Sequence, residues 1–339
     1  MATALKVILA QTVMIGALLG AGCAGDPPPV VLEGRTMGTT WTVRIAGISA
    51  AEGARLAPLL AARLDELNRH LSHYDPESEL STFNKLQNDA WFSMSTDLAT
   101  VVVQALKVSE ESNGAFDITV APAVDAWGFG PDAATGQRPD AATLEFAQLH
   151  SGYKKLQLRD DFRALRKLDP LMRLDLSAIA KGYAVDQLAY LLESREIGNY
   201  MVEIGGEVRT AGTRPDGKGW RIGIESVNAS LPIEYVIAPG DEAVATSGNY
   251  RNFYMLDGRK IAHTIDPATA RPADNGLESV SVIAPDTMQA DAYATAIMVL
   301  GPEAGFAFAE RLHLPALLIP GDAKQPARRT SEFERYLIR

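Results

Sequence analysis

The chain has 339 residues, of which 47% are apolar and 22% charged. That is a globular mixture, which excludes a disordered tail protein and leaves room for one large domain or two lobes. Acidic side chains outnumber basic ones 42 to 32, a net charge of −10. This argues against a nucleic-acid partner but not against a nucleotide held locally by a metal and backbone amides. The single cysteine, Cys23, excludes an intrachain disulfide framework and a Cys-based zinc site. The histidines form no HExxH pattern; His70 and His73 alone are close in sequence, bracket a helix end and read as surface groups.

Residues 1–22 read as a signal peptide. Lys6 is their only charge, Val7 to Leu19 is mostly apolar, and Ala21-Gly22 precede Cys23. The apolar run is shorter than the ~20 residues of a membrane span. Small residues before a lone cysteine resemble a bacterial lipobox, although Gly20 stands where leucine is usual. The expectation is a protein lipid-anchored at Cys23, on the periplasmic face of the inner membrane, with no other segment able to anchor it. Residues 23–33, with Asp26-Pro27-Pro28-Pro29, read as a stiff tether, and 34–339 as the folded domain.

Trp41–Ile45 alternates as a strand does. Leu56, Leu59, Leu60, Leu64, Leu67 and Leu71 share one helical face, with Ser49 and Glu52 as a capping box and Pro58 as a kink or later start. A second helix covers about 97–112 and stops at Asn113-Gly114. Residues 131–142 read as a surface loop and 159–170 as a charged turn region. A strand at 172–176 leads into a third helix reaching about Glu196. Short strands follow at 200–204, 207–211, 220–225, 244–246, 252–256 and 279–283, several joined by Asp-Gly turns. A fourth helix spans about 287–300 and ends at Gly301, and Pro302 opens a fifth. Many short strands with tight turns and no GxGxxG fingerprint predict an α+β fold with mixed or antiparallel sheets, not a Rossmann domain.

Several segments could carry chemistry. Asp175 to Gly182 crosses from strand to helix, where free amides and Lys181 could bind phosphate; equally, Asp175 could cap the helix while Lys181 is solvated. Asp291 and Thr295 lie four apart on one helical face and offer hard oxygen ligands suited to Mg²⁺ beside phosphates. Alternatively, Thr295 bonds back to the carbonyl of residue 291 and Asp291 faces solvent. Gly205-Gly206-Glu207 permits a tight turn or a close ligand approach. Thr246-Ser247-Gly248 could cradle a phosphate or simply turn. His263, just before Asp266-Pro267, could take a proton near neutral pH or be structural.

In order along the chain stand Thr36-Met37-Gly38-Thr39, Ser72 to Asn84 with Tyr74, Ala115-Phe116-Asp117, Trp127-Gly128-Phe129-Gly130, Asp175 to Gly182, Gly205-Gly206-Glu207, Thr246-Ser247-Gly248, His263 to Pro272, and Asp291 to Ala296. This series resembles the ApbE family, the FAD:protein FMN transferases, from about Gly34 to Leu318. The resemblance implies a two-lobed α+β fold with flanking helices, related to the T-fold, that holds FAD between its lobes. It implies that Met37, Tyr74, Ala115, Phe116, Asp117, Asp175, Lys181, His263 and Ile265 line the FAD site. Asp291 and Thr295, with the Ala178 carbonyl, would hold Mg²⁺, and His263 and Asp291 would be catalytic. The implied reaction moves FMN from FAD onto a threonine hydroxyl of an acceptor, a flavin-bearing subunit of a membrane redox complex, and releases AMP. The chain departs from the family pattern at Glu207, where aspartate is frequent, and at Ala270, where glycine is usual. Neither departure is expected to touch a flavin or metal residue.

Transfer of this kind depends on positioning and charge neutralisation, which a metal supplies in an acidic protein. Met37 and Tyr74 offer apolar surface to a ring. A Mg²⁺-dependent FAD pyrophosphatase would use the same site with water as acceptor. A flavin-storing lipoprotein would need no metal at the scissile phosphate.

Overall fold

The computed structural model describes residues 27–131, 137–225 and 233–338. The signal segment, Cys23, Asp26 and Gly136 lie outside them. In chain order the first elements are β1 (Val30–Thr36), β2 (Thr39–Ile45), α1 (Ala50–Leu71), α2 (Glu79–Lys85), β3 (Phe92–Ser93), α3 (Thr96–Glu111), α4 (Ala121–Ala126) and α5 (Ala141–Leu149). Next come β4 (Leu156–Leu158), β5 (Ala164–Lys167), α6 (Ala180–Glu193), β6 (Tyr200–Ile204), β7 (Glu207–Ala211), β8 (Ile222–Glu225), β9 (Ile233–Ile237) and β10 (Ala243–Gly248). The chain closes with β11 (Phe253–Leu256), β12 (Arg259–Ala262), β13 (Ile265–Asp266), β14 (Arg271–Pro272), β15 (Leu277–Ala284), α7 (Thr287–Arg311), β16 (Ala316–Pro320) and β17 (Arg328–Arg329).

Eight strands form one sheet in the order β1-β2-β6-β7-β10-β15-β16-β17, and every neighbouring pair is antiparallel. Of the mixed or antiparallel sheets expected, the antiparallel kind is found. One sheet face carries α1, α3, α6 and α7 over a continuous apolar core that includes Val43, Leu64, Val101, Leu188, Val202, Val280 and Ile297. The opposite face buries Val208, Val244, Ile283 and Leu317 under Phe333 and Tyr336. A separate small core joins Val124 and Trp127 of the α4 region to Leu144, Ile261, Ile265 and Ala270. These two bodies are the two lobes.

Local chemistry explains most boundaries. The capping box at α1 is present: Glu52 N–H donates to Ser49 Oγ at 3.2 Å, and Ser49 N–H donates to Glu52 Oε2 at 2.8 Å. The helix starts there, and Pro58 is tolerated on its solvent side. Leu59, read as inward, is 42% exposed beside Pro58. α3 ends at Asn113 and Gly114, both left-handed (φ 52° and 83°). α7 breaks at Gly301 (φ 81°) before Pro302, so it is two helices end to end.

Four further expectations change. β1 begins at Val30, inside the segment read as tether. Residues 172–176 join no ladder. Instead the Asn84 amide bonds the N–H and C=O of Leu174 at 2.7 and 2.9 Å, and Asp175 N–H donates to Ile118 O at 2.8 Å. The charged region 159–170 contains β5, and Lys167 within it is buried, donating to Met172 O at 2.8 Å. Burial lowers that amine's pKa to about 8. A lysine rarely lies inside, so charge pattern alone misreads it. Finally, α7 is itself long and apolar enough to cross a membrane, but 56% of its most apolar stretch is buried against the protein.

Candidate active site

A cavity of about 550 Å³ opens between the lobes. Met37, Tyr74, Ala115, Phe116, Asp117, Asp175, Ala178, Lys181, His263, Ile265, Asp291 and Thr295 all border it. A larger depression of about 680 Å³ beside Arg44, Arg214 and Trp220 gathers none of these residues. Chemistry, not size, therefore selects the interlobe cavity.

One end is a polar corner on regular elements. Asp291, on α7, is 5% exposed. Its Oδ2 accepts the Gly182 N–H at 3.0 Å. That amide belongs to the first turn of α6, which has no side-chain cap of its own. The positive end of α6 therefore faces Asp291 rather than an open phosphate site. Close approach of the two helices requires glycine, because a Cβ at Gly182 would lie 2.4 Å from Thr287 O. Burial pushes the Asp291 carboxyl above its ordinary range; Lys181 opposes this and Glu207 adds to it. Lys181 Nζ binds Glu207 Oε1. Burial disfavours the charged amine, but Glu207 and Asp291 outweigh it and hold its pKa up. Thr295 Oγ1 lies 3.0 Å from Ser247 Oγ. Asp291 is thus not the solvent-facing group of the blander reading. Thr246, by contrast, pairs with Ser281 at 2.8 Å.

The other end is a wall carried by turns. Met37 (φ 47°) and Gly38 (φ 72°) form the tip of the β1–β2 hairpin, the left-handed pair that such a tight turn needs. Tyr74 is 58% exposed, and its hydroxyl donates to Phe129 O at 2.9 Å. Phe129 stands edge-on to His263 with ring centres 6.3 Å apart. His263 Nδ1 lies 3.2 Å from Asn252 O. A carbonyl only accepts, so Nδ1 carries the proton and Nε2 is left as an acceptor. Burial lowers the imidazole pKa below 6.5 and Lys181 adds to this, while the Asn252 contact and Asp175 oppose it.

Two assigned carboxylates are partly structural. Asp117 accepts from Thr119 N–H and Oγ1 and from Tyr153 N–H, at 2.8, 2.7 and 2.8 Å, so both its oxygens are engaged. Asp175 Oδ1 accepts from Ser177 N–H at 2.8 Å in the turn before α6, so Asp175 does not cap that helix, and it borders the cavity.

Sequence reasoning missed some neighbours. His73 is no surface group: its side chain is 9% exposed and Nδ1 lies 3.3 Å from Asp175 Oδ1. His70 turns away to Asp97 at 2.8 Å. Among the described residues no three His, Cys, Asp or Glu side chains form a metal-binding group. Glu207, expected to touch no flavin residue, contacts Lys181; the paired glycines before it were the available signal. Arg251 and Asn252 border the cavity and carry no motif. Ala270 adopts φ 52° despite its side chain, with its carbonyl accepting the Trp127 indole N–H at 2.8 Å.

An α+β scaffold with an aromatic wall facing a carboxylate–lysine–hydroxyl corner is suited to a nucleotide with a large ring. The ApbE family model matches residues 37–318. The chain is 41% identical over 304 residues to the FAD:protein FMN transferase of Vibrio cholerae serotype O1, covering 89% of this chain and 90% of the relative. It is 37% identical over 301 residues to that of Escherichia coli K12, covering 86% of each. The solved flavin transferase ApbE from Vibrio cholerae superposes with a TM-score of 0.84 at 39% identity, over 91% of this chain and 99% of that one. The apo flavinyl transferase ApbE of Pseudomonas stutzeri gives 0.81 at 32%, over 92% and 98%. The chain belongs to the ApbE family.

Proposed function

We propose that this chain is an FAD:protein FMN transferase, and that its acceptor is a threonine hydroxyl on a flavin-bearing subunit of a membrane redox complex. The observation that carries the reading is the convergence of all twelve motif-matched residues on one cavity, together with relatives of that name at 37–41% identity. In the reaction the threonine oxygen bonds to the FMN phosphorus, the bond from that phosphorus to the bridging oxygen breaks, AMP leaves, and the hydroxyl proton is released. His263 Nε2 would take that proton, since Nδ1 faces Asn252 O and burial disfavours the charged ring. Tyr74, Met37 and Phe129 offer the flavin ring its apolar surface. Lys181, fixed by Glu207, supplies fixed positive charge to the corner.

Asp291, Thr295 and the Ala178 carbonyl suit Mg²⁺. The donors are all hard oxygens, and among the described residues the buried Asp291 carboxylate receives one hydrogen bond, so a cation there would offset its burial. A single carboxylate is also usual for Mg²⁺ shared with phosphates. When bound, Mg²⁺ would neutralise charge on the pyrophosphate.

Incubation with FAD, Mg²⁺ and a flavin-free candidate acceptor should add the mass of FMN less one water to the acceptor and release one AMP. AMP release with no gain of mass would instead make the chain a pyrophosphatase. FAD retention with neither product would make it a storage protein. We further propose anchoring through acylated Cys23 at the periplasmic face. Cys23→Ser should move the protein from membrane to soluble fraction, and membrane retention of that variant would end the proposal.

A further inference from the structure

β11 and β12 form a two-stranded sheet whose only partners are each other among the described residues. Their turn, Asp257-Gly258, has φ of 49° and 75°, the two-residue turn in which the flanking pair Leu256–Arg259 exchanges both hydrogen bonds. Bonding then alternates along the ladder. Tyr254–Ile261 is the next bonded pair, and His263 N–H donating to Asn252 O at 3.2 Å continues the series. Phe253 and Met255 are therefore the residues whose N–H and C=O point away from β12. Their side chains are exposed as well, at 44% and 59%, while Tyr254 and Leu256 pack into the small core. Lys260, opposite Met255, lies with its ammonium 5.0 Å from the centre of the Phe253 ring and is tied to Glu278.

An open edge with two exposed apolar side chains invites non-specific pairing, and proteins normally blunt such edges. This one runs into the active cavity. Arg251 and Asn252, directly before β11, and His263, directly after β12, border it. We infer that the free edge of β11 is the docking rail for the acceptor protein: an extended acceptor segment adds as a third strand beside Phe253 and Met255 and carries its hydroxyl residue into the cavity at Asn252. At about 3.3 Å per residue, two to four residues beyond the paired positions reach that level. Backbone pairing supplies affinity without demanding one sequence, and the apolar pair supplies register. The inference rests on the transferase reading, because only that reaction requires a protein chain at the cavity mouth.

Met255→Pro tests it. Position 255 gives no hydrogen bond to β12, so proline at this edge leaves the hairpin's bonds in place while deleting the outward N–H. The probe is a redox subunit that carries FMN on threonine in its native membrane, produced flavin-free. We expect KM for that subunit to rise ten-fold or more, with FAD affinity and acceptor-free AMP release unchanged. Phe253→Ser should raise the same KM several-fold. A photo-reactive residue at 255 should cross-link to the subunit within a few residues of the flavinylated threonine. Wild-type KM in both variants overturns the rail while leaving the transferase intact, as does a cross-link from 255 back to this chain. A wild-type enzyme that releases AMP but flavinylates nothing overturns the transferase reading and the rail with it.

Discussion

The two ends of the cavity are built from different material. Asp291 and Thr295 stand on α7, Lys181 on α6, Glu207 on β7 and Ser247 on β10, that is, on the eight-stranded sheet and the helices packed against it. Met37, Tyr74, Phe129 and His263 stand on a hairpin tip and loops between elements. Buried charge interacts strongly and steeply with distance, so its carriers must be fixed by packing. A flat ring is held by area and tolerates small shifts. The comparison teaches that a substitution at the corner should alter the chemical step, whereas one at the wall should mainly alter binding, with His263 as the exception that belongs to both.

The sharpest break would come at Asp291. Asp291→Asn keeps an acceptor for Gly182 N–H but removes the charge, and should lower the transfer rate by ~10²–10³ or more, with unchanged circular dichroism. Near-normal turnover at saturating Mg²⁺ would remove Asp291 from the corner's chemistry. His263→Gln comes next, with an expected loss of ~10². The imidazole pKa is held below 6.5, so the wild-type rate should be flat above that pH and fall as pH drops through the lowered value and the base becomes protonated. The variant should lose that acid limb. If the limb survives and only FAD affinity drops, His263 belongs wholly to the wall.

Gly182→Ala asks whether the corner depends on its helices. A methyl group 2.4 Å from Thr287 O must push α6 and α7 apart, and should cost ~1–3 kcal/mol of stability, read by denaturant unfolding. Wild-type stability would mean the helices have slack. At the wall, Tyr74→Phe removes the bond to Phe129 O, worth ~0.5–1.5 kcal/mol; FAD dissociation should weaken no more than about ten-fold with kcat unchanged. A fall in kcat would erase the distinction between the two ends. Ala270→Gly should change least. Relief of the left-handed strain, ~1 kcal/mol, is offset by loss of a buried methyl and by glycine's entropy, so a stability change above about 1 kcal/mol in either direction would show that one of these terms dominates.

Periodicity and local chemistry made much of this legible. The α1 capping box, the Asn113-Gly114 stop, the Gly301–Pro302 break and the short strands after α6 depend on neighbours in sequence, and each appears where the residues predict it. The residues that the motif order assigned to flavin or metal all border one cavity. Three of the failures share one cause, which is that a deciding partner is far along the chain. Lys167 is buried because Met172 O and Asn84 O accept from it, and residues 172–176 leave the ladder because Asn84 bonds Leu174. His73 is hidden because Asp175 lies about a hundred residues away.

By itself, then, the sequence determined the element types and most of their caps, because propensity, capping and spacing act over a few residues, while the resemblance of its ordered motifs to the ApbE family supplied the residues expected around a flavin nucleotide. Tertiary structure alone decided which of those residues are free to act. It turned Asp117 inward onto Thr119 and Tyr153, set the Gly182 amide on Asp291, tied Lys181 to Glu207, and fixed the His263 tautomer through Asn252. Hydrogen bonds and desolvation depend on distances in space, which join residues up to 109 positions apart at this site, and no local pattern encodes them.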